Sequence, residues 1–144
     1  AIERFLGESV VGSPIEIDAD LAALADALLP EEVETHLYRV IQEAAANALR
    51  HARPTRLSLS IRLGPSGLDL QFADNGSGFD PSEENATLGG DQGLGLWSMR
   101  ERIAALQGVL RVDSKRGGGT IIKVHIPKST LEQRRAADSS SHRR

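Results

Sequence analysis

Between Arg56 and Asp74 apolar and polar residues alternate strictly, the signature of strands with one buried face. Leu57, Leu59, Ile61 and Leu63 share one side, opposed by serines and arginines. Leu68, Leu70 and Phe72 continue that side after Gly64-Pro65-Ser66-Gly67, so the run predicts a hairpin turning at those four residues. Val109 to Asp113 and Thr120 to Ile126 repeat the pattern around a turn at Ser114 to Gly119, with Ile122, Val124 and Ile126 inward. Pro14 to Asp18 alternates Ile15 and Ile17 and reads as one further short strand.

Elsewhere the period changes to that of a helix. Val33, Leu37, Val40, Ile41, Ala44 and Ala48 predict a long helix, about Glu31 to His51, opened by Pro30 and two acids. Pro54 stops it, because the residue before a proline disfavours helical geometry. A second helix is expected from Gly95 to Gln107, burying Leu96, Met99, Ile103 and Leu106 and ended by Gly108. Leu21 to Leu29 is apolar but poorly patterned and stays open between a loop and a short helix. Asn75 to Gln92 has no period and predicts a mobile loop. Ala1 to Gly12 carries Ile2, Phe5 and Leu6 at helical spacing but is too short to stand alone.

These elements divide the chain into residues 1–13, the end of an upstream linker or helix; residues 14–127, the folded body; and residues 128–144, a polar, disordered tail. Each strand has a polar face, so the sheet takes helices on one side and water on the other. The fold expected is a two-layer α/β (α+β) sandwich around a mixed, mostly antiparallel sheet.

Composition narrows the possibilities. At 144 residues the chain has room for one domain with a core. It has no cysteine, which removes disulfides, thiolate catalysis and cysteine-ligated zinc. A net charge of −3, without basic clusters in the body, argues against a nucleic-acid partner. No apolar run reaches bilayer length, and the lack of cysteine points to a reducing compartment, so a cytoplasmic setting is expected for these residues, with a membrane anchor elsewhere in the whole protein left open. The only methionine is Met99, and the chain is expected to be a piece of a longer protein.

Three features break the packing pattern. Asp74 follows Leu68, Leu70 and Phe72 by twos, which turns its carboxylate inward; it either caps the Gly76 turn or meets a buried donor. Glu43, Asn47 and Arg50 stack on one side of the long helix beside its apolar stripe, with His51 at the seam. They form a satisfied polar edge or a place for a hard cation held through oxygen. Gly76 and Gly78 follow one strand, and Gly89, Gly90, Gly93 and Gly95 precede the second helix. They supply loop freedom, or backbone N–H groups for a phosphate at a helix start. No P-loop, Rossmann fingerprint or nucleophile elbow is present, and His36, His51, His125 and His142 lack metal-ligand spacing.

In this order, "ETHLYRVIQEAAANALRHA", "DNGSGFD", "GLGLWSMRERIAALQG" and "GGGTIIKVHIP" resemble the N box, D-x-G-x-G box, second glycine box and closing strand of one family. That family is the catalytic ATP-binding domain of sensor histidine kinases in the GHKL ATPase superfamily, over about residues 14 to 127. The wording of the N box and the short loop resemble the subfamily that pairs with NarL/LuxR-type response regulators. The resemblance implies ATP and Mg²⁺ as ligands. Asp74 would accept from the adenine amine, with Thr120 beside it through water and Gly76 and Gly78 shaping the loop. Asn47 would hold Mg²⁺, with Glu43 orienting the metal or a water. Arg50 would meet the phosphates and His51 the nucleoside, while Gly93, Leu94 and Gly95 would wrap the triphosphate.

It further implies transfer of the γ-phosphoryl group to a histidine on a separate dimerisation domain. None of the four histidines sits where that acceptor belongs, so the 144 residues are expected to bind ATP as a monomer without self-phosphorylation, the whole protein being a homodimer. A lid phenylalanine box is missing. A serine kinase or a hydrolysing ATPase of the same superfamily is the other activity the motifs allow, hydrolysis needing Glu43 as general base.

Overall fold

A computed structural model describes residues 2–25, 29–80 and 91–141. In chain order its elements are α1 (Ile2–Ser9), β1 (Glu16–Asp20), α2 (Ala22–Ala25), α3 (Glu31–Asn47) with a π-helical turn Ala48–Ala52, β2 (Arg56–Gly64), β3 (Gly67–Asp74), α4 (Asp91–Ala104), β4 (Val109–Ser114), β5 (Thr120–Pro127) and α5 (Lys128–Ser141). The undecided stretch after β1 contains the single turn of α2. Most of the loop expected to be mobile, residues 81–90, lies outside the described residues.

The strands form one sheet in the order β1-β2-β3-β5-β4. Only β1 and β2 run parallel; the other pairings are antiparallel. Alternation delivers Leu57, Leu59, Ile61, Leu68, Leu70, Phe72, Ile122, Val124 and Ile126 to one buried side. The helices cover that side with Val33, Leu37, Ile41, Met99, Ile103 and Leu106. Each such aliphatic or aromatic side chain is worth about 1.5–3 kcal/mol when fully buried, so this layer contact dominates stability. The two-layer, mostly antiparallel sandwich is the architecture the alternation predicts.

Element ends hold most of the differences. The long helix does not run regularly to His51. It widens into the π turn after Asn47, and Arg53 at φ 47° takes the left-handed conformation before Pro54. α4 starts four residues ahead of Gly95. Its left-handed end residue is Gln107 (φ 56°), not Gly108. Gly108 donates to the Ile103 carbonyl at 3.0 Å and Gln107 to that of Ala104 at 2.9 Å, a Schellman end. The glycine serves close approach, since a β-carbon there would stand 2.6 Å from the His125 carbonyl oxygen.

Both chain ends are more ordered than expected. Leu6 of α1 is fully buried, and Phe5 sets its ring 5.7 Å from that of Tyr38 on α3. Residues 128–144, expected as a disordered tail, instead form α5 through Ser141. Thr130, Arg134 and Asp138 recur every four residues, so one helical face carries three polar anchors. Thr130 Oγ1 donates to the Leu106 carbonyl (2.8 Å), and Arg134 meets Glu32 (2.9 Å). Asp138 accepts from the Glu31 backbone N–H (2.9 Å) at the start of α3, where Pro30 offers no side-chain cap. With Leu131 as the one large apolar side chain in the core, this helix shows almost no hydrophobic period.

Thr130→Val keeps the side-chain volume but leaves the buried Leu106 carbonyl without its donor. It should cost about 1–3 kcal/mol in urea unfolding at unchanged slope. Unaltered stability would mean that α5 does not dock on the end of α4.

Candidate functional site

Where α3 ends, the sheet, the Asp74–Phe79 loop and α4 leave a cleft. Ala44, Ala48 and Ala52 line its helix side, Phe72 and Ile122 the sheet side, and Phe79 and Leu96 the outer rim. Its cavity volume is only about 20 Å³, so the walls stand close together. The alanines matter, because larger side chains at these positions would fill the slot from the helix side. The result is a narrow apolar space suited to a flat ring system.

Asp74 stands in this cleft in register with Leu57 on one neighbouring strand and Thr120 on the other. The Gly76 N–H donates to Asp74 Oδ1 at 2.8 Å. Burial raises the Asp74 carboxyl above the ordinary carboxylate range, and the backbone N–H groups of Gly76 and Thr120 offset this only in part. So Asp74 both caps the Gly76 turn and keeps acceptor capacity toward the cleft; the two readings of this residue are compatible. Thr120, 9% exposed, also lines the cleft, with Ser114 Oγ 2.8 Å from its hydroxyl.

Asn47 enters from the last residue of α3. It is 9% exposed, and among the described residues its buried Oδ1 has no hydrogen-bond partner. A buried acceptor left open is costly, which makes this oxygen a natural ligand for something brought in from outside. A β-carbon on Gly95 would collide with the Glu43 carboxylate and stand 3.3 Å from Asn47 Nδ2. The missing side chain of Gly95 is what lets the first turns of α4 settle against Glu43 and Asn47.

Not every candidate reaches the cleft. Arg50 lies outside, its guanidinium 3.8 Å from Glu43 and its Nε donating to the Ala46 carbonyl. His51 is exposed, and its backbone carbonyl accepts from the Ser77 hydroxyl at 3.3 Å. Gly76 abuts the Ala52 carbonyl too closely for any β-carbon. Gly78 lines the cleft with φ 64°, and a side chain there would strike the Lys115 carbonyl. Gly93 and Leu94 fall in the first turn of α4.

Two supporting residues had no signal in the sequence. Asn75 Oδ1 accepts from the N–H groups of Thr55 (2.9 Å) and Arg56 (2.8 Å), fixing the entry to β2. Ser114, at the end of β4, accepts from the Phe79 N–H at 2.9 Å. Both are small polar residues in turn-rich stretches, where such residues are common and carry no periodicity. The loop between them is held at both sides: Ser77 N–H donates to the Ala52 carbonyl (2.7 Å) and Gly117 N–H to the Ser77 carbonyl (2.6 Å).

Known proteins resemble this chain in sequence or in fold. Sensor histidine kinase LiaS of Bacillus subtilis (strain 168) is 36% identical over 126 residues, 88% of this chain and 33% of that protein. Signal transduction histidine-protein kinase/phosphatase DegS of the same organism is 36% identical over 104 residues, 72% of this chain and 26% of that protein. The chain thus spans about a third or less of the curated relatives it matches. Among solved structures, the histidine kinase domain of the Erythrobacter litoralis EL346 blue-light activated histidine kinase shares the fold. Its TM-score is 0.73 at 22% identity, over 92% of this chain and 62% of that one. The family described as Histidine kinase-, DNA gyrase B-, and HSP90-like ATPase matches residues 32–130. That match runs without a break from the first turn of α3 to the first turn of α5, and the chain belongs to this ATPase family.

Proposed function

We propose that these residues are the ATP-binding catalytic domain of a two-component sensor histidine kinase. ATP bound with Mg²⁺ donates its γ-phosphoryl group to a histidine on a dimerisation domain outside the 144 residues. The carrying observation is the half-buried Asp74 carboxylate in an apolar slot, with the unpartnered Asn47 oxygen on the same cleft. The first suits the amine of adenine; the second suits a hard cation beside the phosphates.

In this reading the base lies between the alanine side of α3 and the sheet, its exocyclic amine donating to Asp74. Thr120 completes that polar end directly or through water. The phosphates leave the slot toward the start of α4, where the free backbone N–H groups of the first turn, that of Gly93 among them, would meet negative charge, with Leu94 and Gly95 next in the helix. Among the described residues no three His, Asp or Glu side chains cluster to hold a metal alone. The unpartnered Asn47 oxygen would be one ligand of Mg²⁺, which commonly completes its shell with phosphate oxygens and water. Bound there, Mg²⁺ neutralises charge on the phosphate oxygens. Glu43 would orient the metal or a water, and Arg50, at the rim beside Glu43, would meet the phosphates. His51 meets the nucleoside from the mouth.

Phosphoryl transfer has a loose transition state in which positioning and charge neutralisation do most of the work, so a domain of this kind needs no covalent nucleophile. The whole protein is a homodimer that passes the phosphoryl group to a response regulator, of the NarL/LuxR type by its N-box wording. We place it in the cytoplasm, where ATP is. Among the described residues no helix is long and apolar enough to cross a membrane.

Asp74→Asn should weaken ATP binding about ten- to hundredfold in calorimetry, and the native chain should prefer ATP over GTP by a similar factor. Equal ATP and GTP affinities would remove Asp74 from base recognition.

The same carboxylate sets a pH dependence. Its folded pKa lies above the unfolded value, so the native state keeps a proton that the unfolded chain has lost. Stability from this group is full below the unfolded pKa and falls as pH rises through the folded one. Asp74→Asn should therefore raise the unfolding midpoint of the ligand-free chain at neutral pH, and the gain should vanish in acid. ATP affinity of the native chain should run oppositely, falling as pH drops through the raised pKa. Thermal melts and titrations across about pH 3 to pH 8 check both.

Supplied with its histidine-bearing helix pair as a separate chain, the domain should label that chain with acid-labile phosphate from ATP. Asn47→Ala should abolish the labelling and the Mg²⁺ effect on nucleotide affinity, without lowering the stability of the ligand-free fold. Labelling of the 144 residues alone would place the acceptor within them.

A further inference from the structure

Three hydrogen-bonding groups converge on Ser114 Oγ. The Phe79 N–H lies 2.9 Å away, the Gly119 carbonyl oxygen 3.2 Å and the Thr120 hydroxyl 2.8 Å. A serine hydroxyl has one proton to give and two lone pairs to fill. The Phe79 N–H can only donate, so it takes one lone pair. The Gly119 carbonyl can only accept, so it takes the proton. What remains for Thr120 is the second lone pair, which obliges its own hydroxyl to donate to Ser114.

The reverse arrangement gives the serine proton to Thr120. It leaves two lone-pair-bearing oxygens facing each other at 3.2 Å, with buried Gly119 keeping only a long 3.4 Å bond from the Lys115 N–H. Among the described residues it makes one hydrogen bond fewer in a low-dielectric place, so the first arrangement prevails. With its proton turned back toward Ser114, Thr120 presents lone pairs alone to the cleft. Asp74, paired with it across β3 and β5, likewise presents acceptor oxygen.

We propose that Ser114 is a specificity-determining positioning residue: it fixes Thr120 as an acceptor, so the polar end of the cleft selects a base carrying an amine over one carrying a carbonyl there. This rests on the reading that Asp74 and Thr120 face the base. Ser114 touches no ligand itself. It acts through the direction of one proton, and through Phe79 it ties that proton to the rim of the slot.

The test is calorimetric titration of the 144-residue chain with ATP and with inosine triphosphate, which carries a carbonyl where adenine has its amine. The native chain should favour ATP. Ser114→Ala frees the Thr120 hydroxyl to donate, so the ATP-to-inosine triphosphate affinity ratio should shrink about fivefold, the worth of one hydrogen bond. Ser114→Thr, which keeps the hydroxyl, should hold the native ratio. In a Thr120→Val background, Ser114→Ala should change both affinities by the same factor. Parallel loss of both affinities in Ser114→Ala, with the ratio intact, would reduce Ser114 to structural support and overturn the proposal. Equal binding of both nucleotides by the native chain, unaltered by Asp74→Asn, would instead overturn the reading of Asp74 on which it rests.

Discussion

A carboxylate on the core side of a sheet loses water before any ligand arrives, and much of the region around Asp74 answers that constraint. Strand alternation leaves no other direction for it: Phe72 must face the helices, so Asp74 does too. The loop that follows turns back at once, so that the Gly76 N–H can reach the charge. This forces Gly76 against the Ala52 carbonyl, which in turn requires the helix to have ended there. The π turn, the left-handed Arg53 and the Asn75 clamp on β2 all serve the meeting of helix end and loop. Compensation is partial, which leaves the carboxylate acceptor capacity toward the cleft.

The opposite end of the cleft follows the same logic with a neutral group. Asn47 closes the regular part of α3, and its oxygen is buried without a partner. One helix thus carries an apolar stripe that fixes it on the sheet and, one step aside, polar groups that the fold leaves unfinished. Gly95 joins the two layers at that point, since only the absence of a side chain lets α4 lie against Glu43.

The sheet, its inward set and the two main helices were legible because burial imposes a period on them. Asp74 and Asn47 were legible as exceptions to that period, and the four motifs made sense of them together. α5 was not, because it docks through Thr130, Arg134 and Asp138, and polar anchors look the same in a sequence as solvated residues. Nor was the π turn, whose last residue Ala52 meets Gly76 and Ser77, a contact between segments far apart in the chain. Arg50 and His51 share the helix face of the ligand-facing residues, yet the wider turn carries them to the rim. Ser114 escaped for a different reason: its role lies in the direction of a proton, and no pattern of residue types records that.

The cap of α3 has a consequence for how the molecule is made. Glu31 and Asp138 are 107 residues apart, and their contact fixes the start of the helix that bears Glu43 and Asn47. During synthesis α3 emerges before α5, so its first turn waits on this partner. Closing so long a loop is an entropic cost met late, after the strands have brought the two ends near. Until α5 docks, the Glu31 N–H lacks this cap. The start of the helix that lines the cleft is therefore completed by a segment far along the sequence, and a chain broken before Asp138 would leave that cap open.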